Sequence, residues 1–400
     1  MTEKKKLTVN CAFCDLRNIT REVLESYESV AVNCATAVVS PEAQPLLAEY
    51  AVSLNAASVT AVPREVVLSK HNGQYTIKAG AAVPEQPMGL MVNGGLVVEP
   101  GTQAQLEKYV FIQVNGCLQC PESLAGAASR VKVNGATEFY PDDAVLLKGR
   151  FQPDRIFALR AKEGRYFVGR RLIALDPKAD YGRLAEKGVR FVTPRVLVTE
   201  QLLETVLALV PEDAEVQVVP DGTRYTAEDV TLDKTCLRKY GPKIFVDGNL
   251  ELEPANEAVL AQMEYLEVDG DALVPEELLE TFQSKATVHG QVQALPKGTR
   301  ICDKTQVTID PELLALCPEG LCVMDCGVVR FAGEVSPADI QERVKLIACG
   351  SVHCSEAQRS AVELICEDVG EVSCGEEGPF KGLLSQALSG NCINAASYTF

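Results

Sequence analysis

A chain of 400 residues that is 46% apolar and 23% charged can bury a core, which excludes a disordered protein. Its formal net charge of −17 excludes the Lys/Arg-rich surfaces that hold a nucleic-acid backbone or an anionic membrane, and no segment is long and apolar enough for a membrane span. With no Trp and only 6% aromatic residues, the core must be aliphatic.

The chain begins with Lys4-Lys5-Lys6 and no apolar stretch behind them, so no secretory signal is expected. The fifteen cysteines are accordingly read as the reduced thiols of a cytoplasmic protein. Val9-Asn10-Cys11 and Val32-Asn33-Cys34 then introduce a motif that becomes regular further along. It stands as Val92-Asn93-Gly94, Val114-Asn115-Gly116, Val133-Asn134-Gly135, Val246-Asp247-Gly248 and Val268-Asp269-Gly270, with Val288-His289-Gly290 as a near copy. Neighbouring copies within each run lie 19 to 22 residues apart, the signature of stacked small units. Ile347-Ala348-Cys349 and Leu364-Ile365-Cys366 mark further coils.

Residues 263–282 show what one unit contains. Leu266 and Val268 alternate with Glu267, which predicts a strand, and Asp269-Gly270 predicts the turn after it, since Gly and Asn/Asp best tolerate positive φ. Pro275-Glu276-Glu277 carries helix-start chemistry, and Leu278, Leu279 and Phe282 fall on one helical face. The same order recurs at Ser40-Pro41-Glu42, Pro121-Glu122-Ser123-Leu124, Asp310-Pro311-Glu312 and Ser336-Pro337-Ala338.

A longer period of 76 to 78 residues lies above the short one, linking Met91-Val92, Phe167-Val168, Phe245-Val246 and Val323-Met324. Pro220-Asp221-Gly222-Thr223-Arg224 and Pro296-Lys297-Gly298-Thr299-Arg300 keep that register. Blocks of four coils, about 77 residues each, are therefore expected, in one continuous repeat over 1–376. Residues 377–400, with Ser389, Gly390, Asn391, Asn394 and Ser397, are expected to form a less regular cap or tail, which weighs against end-to-end polymerisation.

The chemistry-bearing residues are mostly absorbed by the repeat. Cys11-Ala-Phe-Cys14 and Cys117-Leu-Gln-Cys120 have metal or redox spacing, and the last 99 residues hold nine Cys: 302, 317, 322, 326, 349, 354, 366, 374 and 392, with His353 beside Cys354. Cys11, Cys34, Cys326 and Cys349, however, occupy the Gly slot of the turn, where small buried groups suit a stacked interior. Of three histidines, His289 replaces the turn Asn/Asp and is expected at the surface, and His71 is expected in a loop. Glu276-Glu277 and Glu376-Glu377 read as solvated pairs, and no nucleophile elbow, phosphate loop or His-Glu-x-x-His stretch is present.

Leu266-x-Val268-x-x-Asp271-x-Leu273, followed by Val274-Pro275-Glu276-Glu277-Leu278, resembles the bacterial leucine-rich-repeat proteins over roughly residues 7–370. The resemblance implies an α/β fold, a single right-handed solenoid of strand–turn–short-helix coils. At the position of that family's Asn ladder this chain carries Gly95, Cys117, Ala136, Asn249, Asp271 and Gln291. The alternative is a parallel β-solenoid, for which the Val-Asn/Asp-Gly corners would also serve.

The expected function is a non-enzymatic scaffold for protein–protein interaction, with no catalytic, cofactor-binding or metal residues and no cofactor. Its expected partner is a protein or peptide, basic to match the acidic faces, rather than a nucleic acid or membrane, with the chain a monomer or weak oligomer. A self-assembling structural solenoid and a thiol metal-binding protein are the alternatives.

Overall fold

A computed structural model describes residues 5–374 and 391–400. They fall into two compact units, the first made of 5–144 with 391–400 and the second of 145–374. Both are α/β, built from parallel strands and short helices with no closed barrel.

In the second unit the repeat is clearest between residues 224 and 295. Each of the first three coils has a strand, a corner, a second strand and a short helix, and the fourth ends at its second strand; Lys243–Val246, Asp247-Gly248-Asn249, Leu250–Glu251 and Glu257–Gln262 form one of them. The first strands of four successive coils pair in parallel as one sheet, and the second strands pair as another. Ile244 lies beside Leu266, and Leu250 beside Ala272. Residues 299–374 repeat this pair of four-stranded sheets, and residues 145–219 have a three-stranded and a four-stranded one. Each of these sheets is a rung-by-rung parallel ladder, compatible with the expected repeat.

Within each unit the ladder hydrogen bonds stop at the block boundary, which the sequence reading does not anticipate. Pro63, Pro141, Pro220 and Pro296 each follow the last strand of a block. The Pro-x-Gly-Thr marker at 220–223 and 296–299 is therefore the crossing between blocks. Within the second unit neighbouring blocks pack sheet against sheet, through Ile173, Leu197, Val219 and Phe245 at one contact and Leu295, Cys322, Met324 and Ile347 at the next. Each block also has its own apolar core, aliphatic in the last block but, against expectation, built around the rings of Phe157, Tyr166, Tyr181 and Phe191 in 145–219.

The first unit holds two blocks in which the corner bends one long strand instead of separating two. Met88–Val98, Tyr109–Pro121 and Val131–Tyr140 pair in order, with Val67–Asn72 and Tyr75–Ile77 as the first rung. In the other block Asn391–Thr399 pairs in parallel with Lys5–Asp15, followed by Tyr27–Val39 and Ser53–Ala61. The last described strand of the chain is thus the first rung of the first block. Residues 391–399 of the expected tail are a regular strand, and Glu376-Glu377 with the rest of 375–390 lies outside the described residues. Phe13, Val38, Val62 and Met91 join the two blocks, and the buried Arg17 ties them further. It grips Asp15 at 2.9 Å and donates from Nη1 to the carbonyl of Val66 at 2.7 Å.

The helices start as the sequence chemistry directs. Asp154, Asp233, Asp310 and Ser336 each accept a backbone N–H from the first turn, and Pro311 and Pro337 open their helices. Their C-termini are tied coil to coil: Lys187 Nζ reaches the carbonyls of Ala158 and Ala161, and Lys285 Nζ those of Ala261 and Met263.

The corner is where the blocks differ. In the first unit the turn asparagines themselves form ladders. Asn33 donates to Asn10 at 2.8 Å and Asn55 to Asn33 at 2.9 Å, while Asn115 donates to Asn93 and Asn134 to Asn115, both at 2.8 Å. The ladder missing from the slot held by Gly95 and Cys117 is therefore present two residues earlier. Between 224 and 295 that slot does work as a ladder of another kind. Asp229, Asn249 and Asp271 accept the backbone N–H of Asn249, Asp271 and Gln291 on the next rung, at 2.8 to 2.9 Å. In the last block Asp325 and Ala348 take left-handed φ of 50° and 51°, and the thiols after them turn inward. Cys326 Sγ lies 3.2 Å from the Met324 carbonyl and Cys349 Sγ 3.4 Å from that of Ile347.

Candidate functional site

The densest arrangement of charged side chains in the second unit lies along the rim of the contact between blocks 145–219 and 224–295. It follows from the register. Arg150 and Arg171 sit on consecutive rungs of one sheet, and Tyr225, Asp247 and Asp269 stand on or just beyond consecutive rungs of the facing one. Arg150 grips Asp247 with two hydrogen bonds of 2.7 Å, and Tyr225 Oη donates to the same carboxylate at 2.7 Å. Arg171 is 6% exposed; its Nη2 donates to Asp269 at 2.8 Å and its Cζ lies 5.1 Å from the centre of the Phe245 ring. The Nη1 of Arg171 is 3.4 Å from Asp247 Oδ2 and has no hydrogen-bond acceptor. Burial, the hydrogen bond and the Asp247 charge push the Tyr225 phenol upward, so it stays a donor.

The next stretch of the rim is built around Glu267, which is buried. Gln217 donates to it at 2.5 Å, Tyr265 Oη donates to its other oxygen, and His289 Nε2 lies 2.6 Å away. His289 is thus at the surface as expected, its ring half exposed, but it also pins a buried carboxylate. Beside Arg171 a groove of about 430 Å³ is lined by Arg150, Arg170, Arg171, Arg195, Asp247 and Asp269. Arg150 and Arg171 are spent on the two aspartates, and Arg195 meets Glu215 at 3.2 Å. The groove is therefore lined by charges that are largely paired with one another, an ion-pair network rather than a cationic patch.

The flagged thiols are placed as follows. Cys11, Cys14 and Cys34 join one interior cluster; burial lifts the Cys14 thiol far above the ordinary range and pushes Cys34 up to about 11. Cys120 is buried and raised to about 11, while its C-x-x-C partner Cys117 is half-buried. Cys354 and Cys374 meet on adjacent rungs with their sulfurs 3.7 Å apart, and burial with the neighbouring thiol pushes Cys354 up to about 12. The side chain of Cys392 lies outside the described residues. Among the described residues no group of three or more His, Cys, Asp or Glu converges on a metal position.

His71 departs from its expected loop: it lies in the strand Val67–Asn72, its ring stacked 3.9 Å from Tyr75. His353 Nδ1 lies 2.6 Å from Ser373 Oγ; burial, with the Arg330 charge, lowers its affinity for a proton. Glu276 and Glu277 are exposed at a helix start, as expected. Among the described residues no helix is long and apolar enough to cross a membrane. The chain matches no family model, no curated protein and no solved structure.

Proposed function

We propose that this chain is a non-enzymatic repeat scaffold, a solenoid of leucine-rich-repeat-like coils that binds other proteins by its surface. The observation that carries this reading is the register. Successive coils are held by main-chain ladders, so equivalent exposed positions recur at the strand spacing of about 4.8 Å in a fixed array. The polar corner groups are consumed inside that array, whereas Glu257, Glu280, Glu312, Glu342 and Glu363 stand exposed on successive helices. Exposed carboxylates carried on a rigid frame suit a basic protein segment.

The test is site-specific photo-cross-linking in the cell of origin. Cross-linkers go at Glu257, Glu280 and Glu342, with buried Phe282 as the control position. The proposal expects a discrete protein adduct from at least one exposed position and none from Phe282. Absence of any adduct across the exposed positions would overturn it.

A further inference from the structure

We propose that the partner of the first unit's block ends is a second copy of this chain, docked head to tail so that the last rungs of one copy continue into the first rungs of the next. This rests on the scaffold reading above and names a partner for it. Three observations lead here.

The first is that the core is open at the last rung. In the block of Val131–Tyr140, Ile77, Val98, Cys120 and Phe139 stand in one column across consecutive rungs. Ile77, Val98 and Cys120 are buried, but Phe139, in the last rung of this unit, is 44% exposed. In the other block Cys14 and Ala37 are fully buried and Val59, next in the column, is 47% exposed. Repeat proteins normally close such ends with a polar coil.

The second is that both asparagine ladders are polar. Every Nδ2 donates toward the first rung: Asn10 to Asn394 in one ladder, Asn93 to Asn72 in the other. The last-rung Asn55 and Asn134 therefore turn Oδ1 outward, and the first-rung Asn394 and Asn72 turn Nδ2 outward. A donor end and an acceptor end are complementary only head to tail, the heterologous geometry that builds open chains of copies.

The third is that stacking continues the corner. Extending the register past Val133-Asn134-Gly135 sets it against His71-Asn72-Gly73 of the second copy, so that asparagine meets asparagine and glycine meets glycine. The open strand edges, with their unpaired backbone groups, would be satisfied by the same step.

The experiment is sedimentation velocity of the full chain from low to high micromolar concentration, on wild type and three variants. Phe139→Glu sets a charge where the second copy would bury it and is expected to weaken association about a hundredfold. Asn72→Asp keeps an oxygen that accepts from Asn93 and sets a charged acceptor in place of the outward donor, against the Oδ1 of the docking copy, so it reports even if Phe139→Glu fails to fold. Leu316→Glu, on an exposed helix position away from the rungs, is expected to associate like wild type. Concentration-dependent growth of wild type, lost in both rung variants, supports the proposal. A wild type that stays monomeric throughout, or rung variants that associate as wild type does, overturns it. A monomer that still cross-links to another protein from Glu257 or Glu280 would leave the scaffold reading standing and remove this one alone.

Discussion

Gly116 is the position where a single methyl group should do most damage. It pairs in register with Gly94 on one side and Gly135 on the other, in backbone with φ +148°, a region that L side chains rarely enter. A Cβ built there lies 2.1 Å from the carbonyl oxygen of Gly94, and main chain, not a movable side chain, stands in the way. The backbone conformation costs a non-glycine residue about 1–3 kcal/mol. Forcing two rungs apart adds a penalty of the overpacking kind, roughly 1–3 kcal/mol. The middle of the combined range is about 4 kcal/mol, which for a unit of this size corresponds to a fall of about 8–16 °C in melting temperature. Gly126→Ala is the internal control: it lies in the helix Ala125–Ala128 with nothing within 4 Å of the new methyl, so a stabilisation of up to ~1 kcal/mol is expected. Thermal unfolding followed by circular dichroism compares the two. If Gly116→Ala melts within about 2 °C of wild type, or Gly126→Ala loses as much, the stacked-glycine account is wrong.

Other consequences can be read from the same contacts. Asn33→Ala removes two ladder hydrogen bonds and Asn55→Ala one, so urea midpoints should order wild type, N55A, N33A, with about 1 kcal/mol lost per bond; equal midpoints for the two variants would contradict the ladder. Arg171→Met removes the hydrogen-bonded cation from Asp269 in a mostly buried setting and should cost ~3 kcal/mol, whereas Glu49→Ala, in a pair with both partners about half exposed, should leave the urea midpoint unchanged. Burial holds the folded-state pKa of His353 below its ordinary 6.5, so the unfolded chain takes up the proton first on acidification. Its stabilising contribution is full above pH 6.5 and drains away as pH falls from there toward the lower folded-state value; His353→Gln should flatten that part of the stability–pH curve. Burial also raises Cys120, Cys236 and Cys322 to about 11, so an alkylating reagent at pH 8 should leave these thiols unmodified until denaturant is added, as peptide mapping would show.

What the sequence discloses and what it withholds follows the range of the interactions. The coil is legible because strand alternation at Leu266–Val268 and helix starts such as Pro311-Glu312 are written in neighbouring residues. The block is legible because Pro220–Arg224 and Pro296–Arg300 recur, but not its meaning as a crossing, since Pro at a block end and Pro at a helix start look alike in a linear reading. The asparagine ladder is hidden by register: the Asn of Val-Asn-Gly is natural turn chemistry, and only pairing of Asn93 with Asn115 shows that its amide stacks. The charged rim is less visible still, because Arg150 and Asp247 are 97 residues apart and meet only when two blocks pack. The strand 391–399 is equally non-local, and Asn394, which lies opposite Asn10, was its one signal.

Native-state hydrogen exchange, read by peptide mass spectrometry on the chain diluted to its monomer, tests the central claim that the ladder is cut into separate four-rung blocks. Amides of inner rungs, such as Tyr109–Pro121 and Lys243–Val246, should be protected, while the last rungs Val131–Tyr140 and Glu215–Val219 should exchange markedly faster. Protection that runs evenly from 215–219 into 224–226, with no break at Pro220, would contradict it.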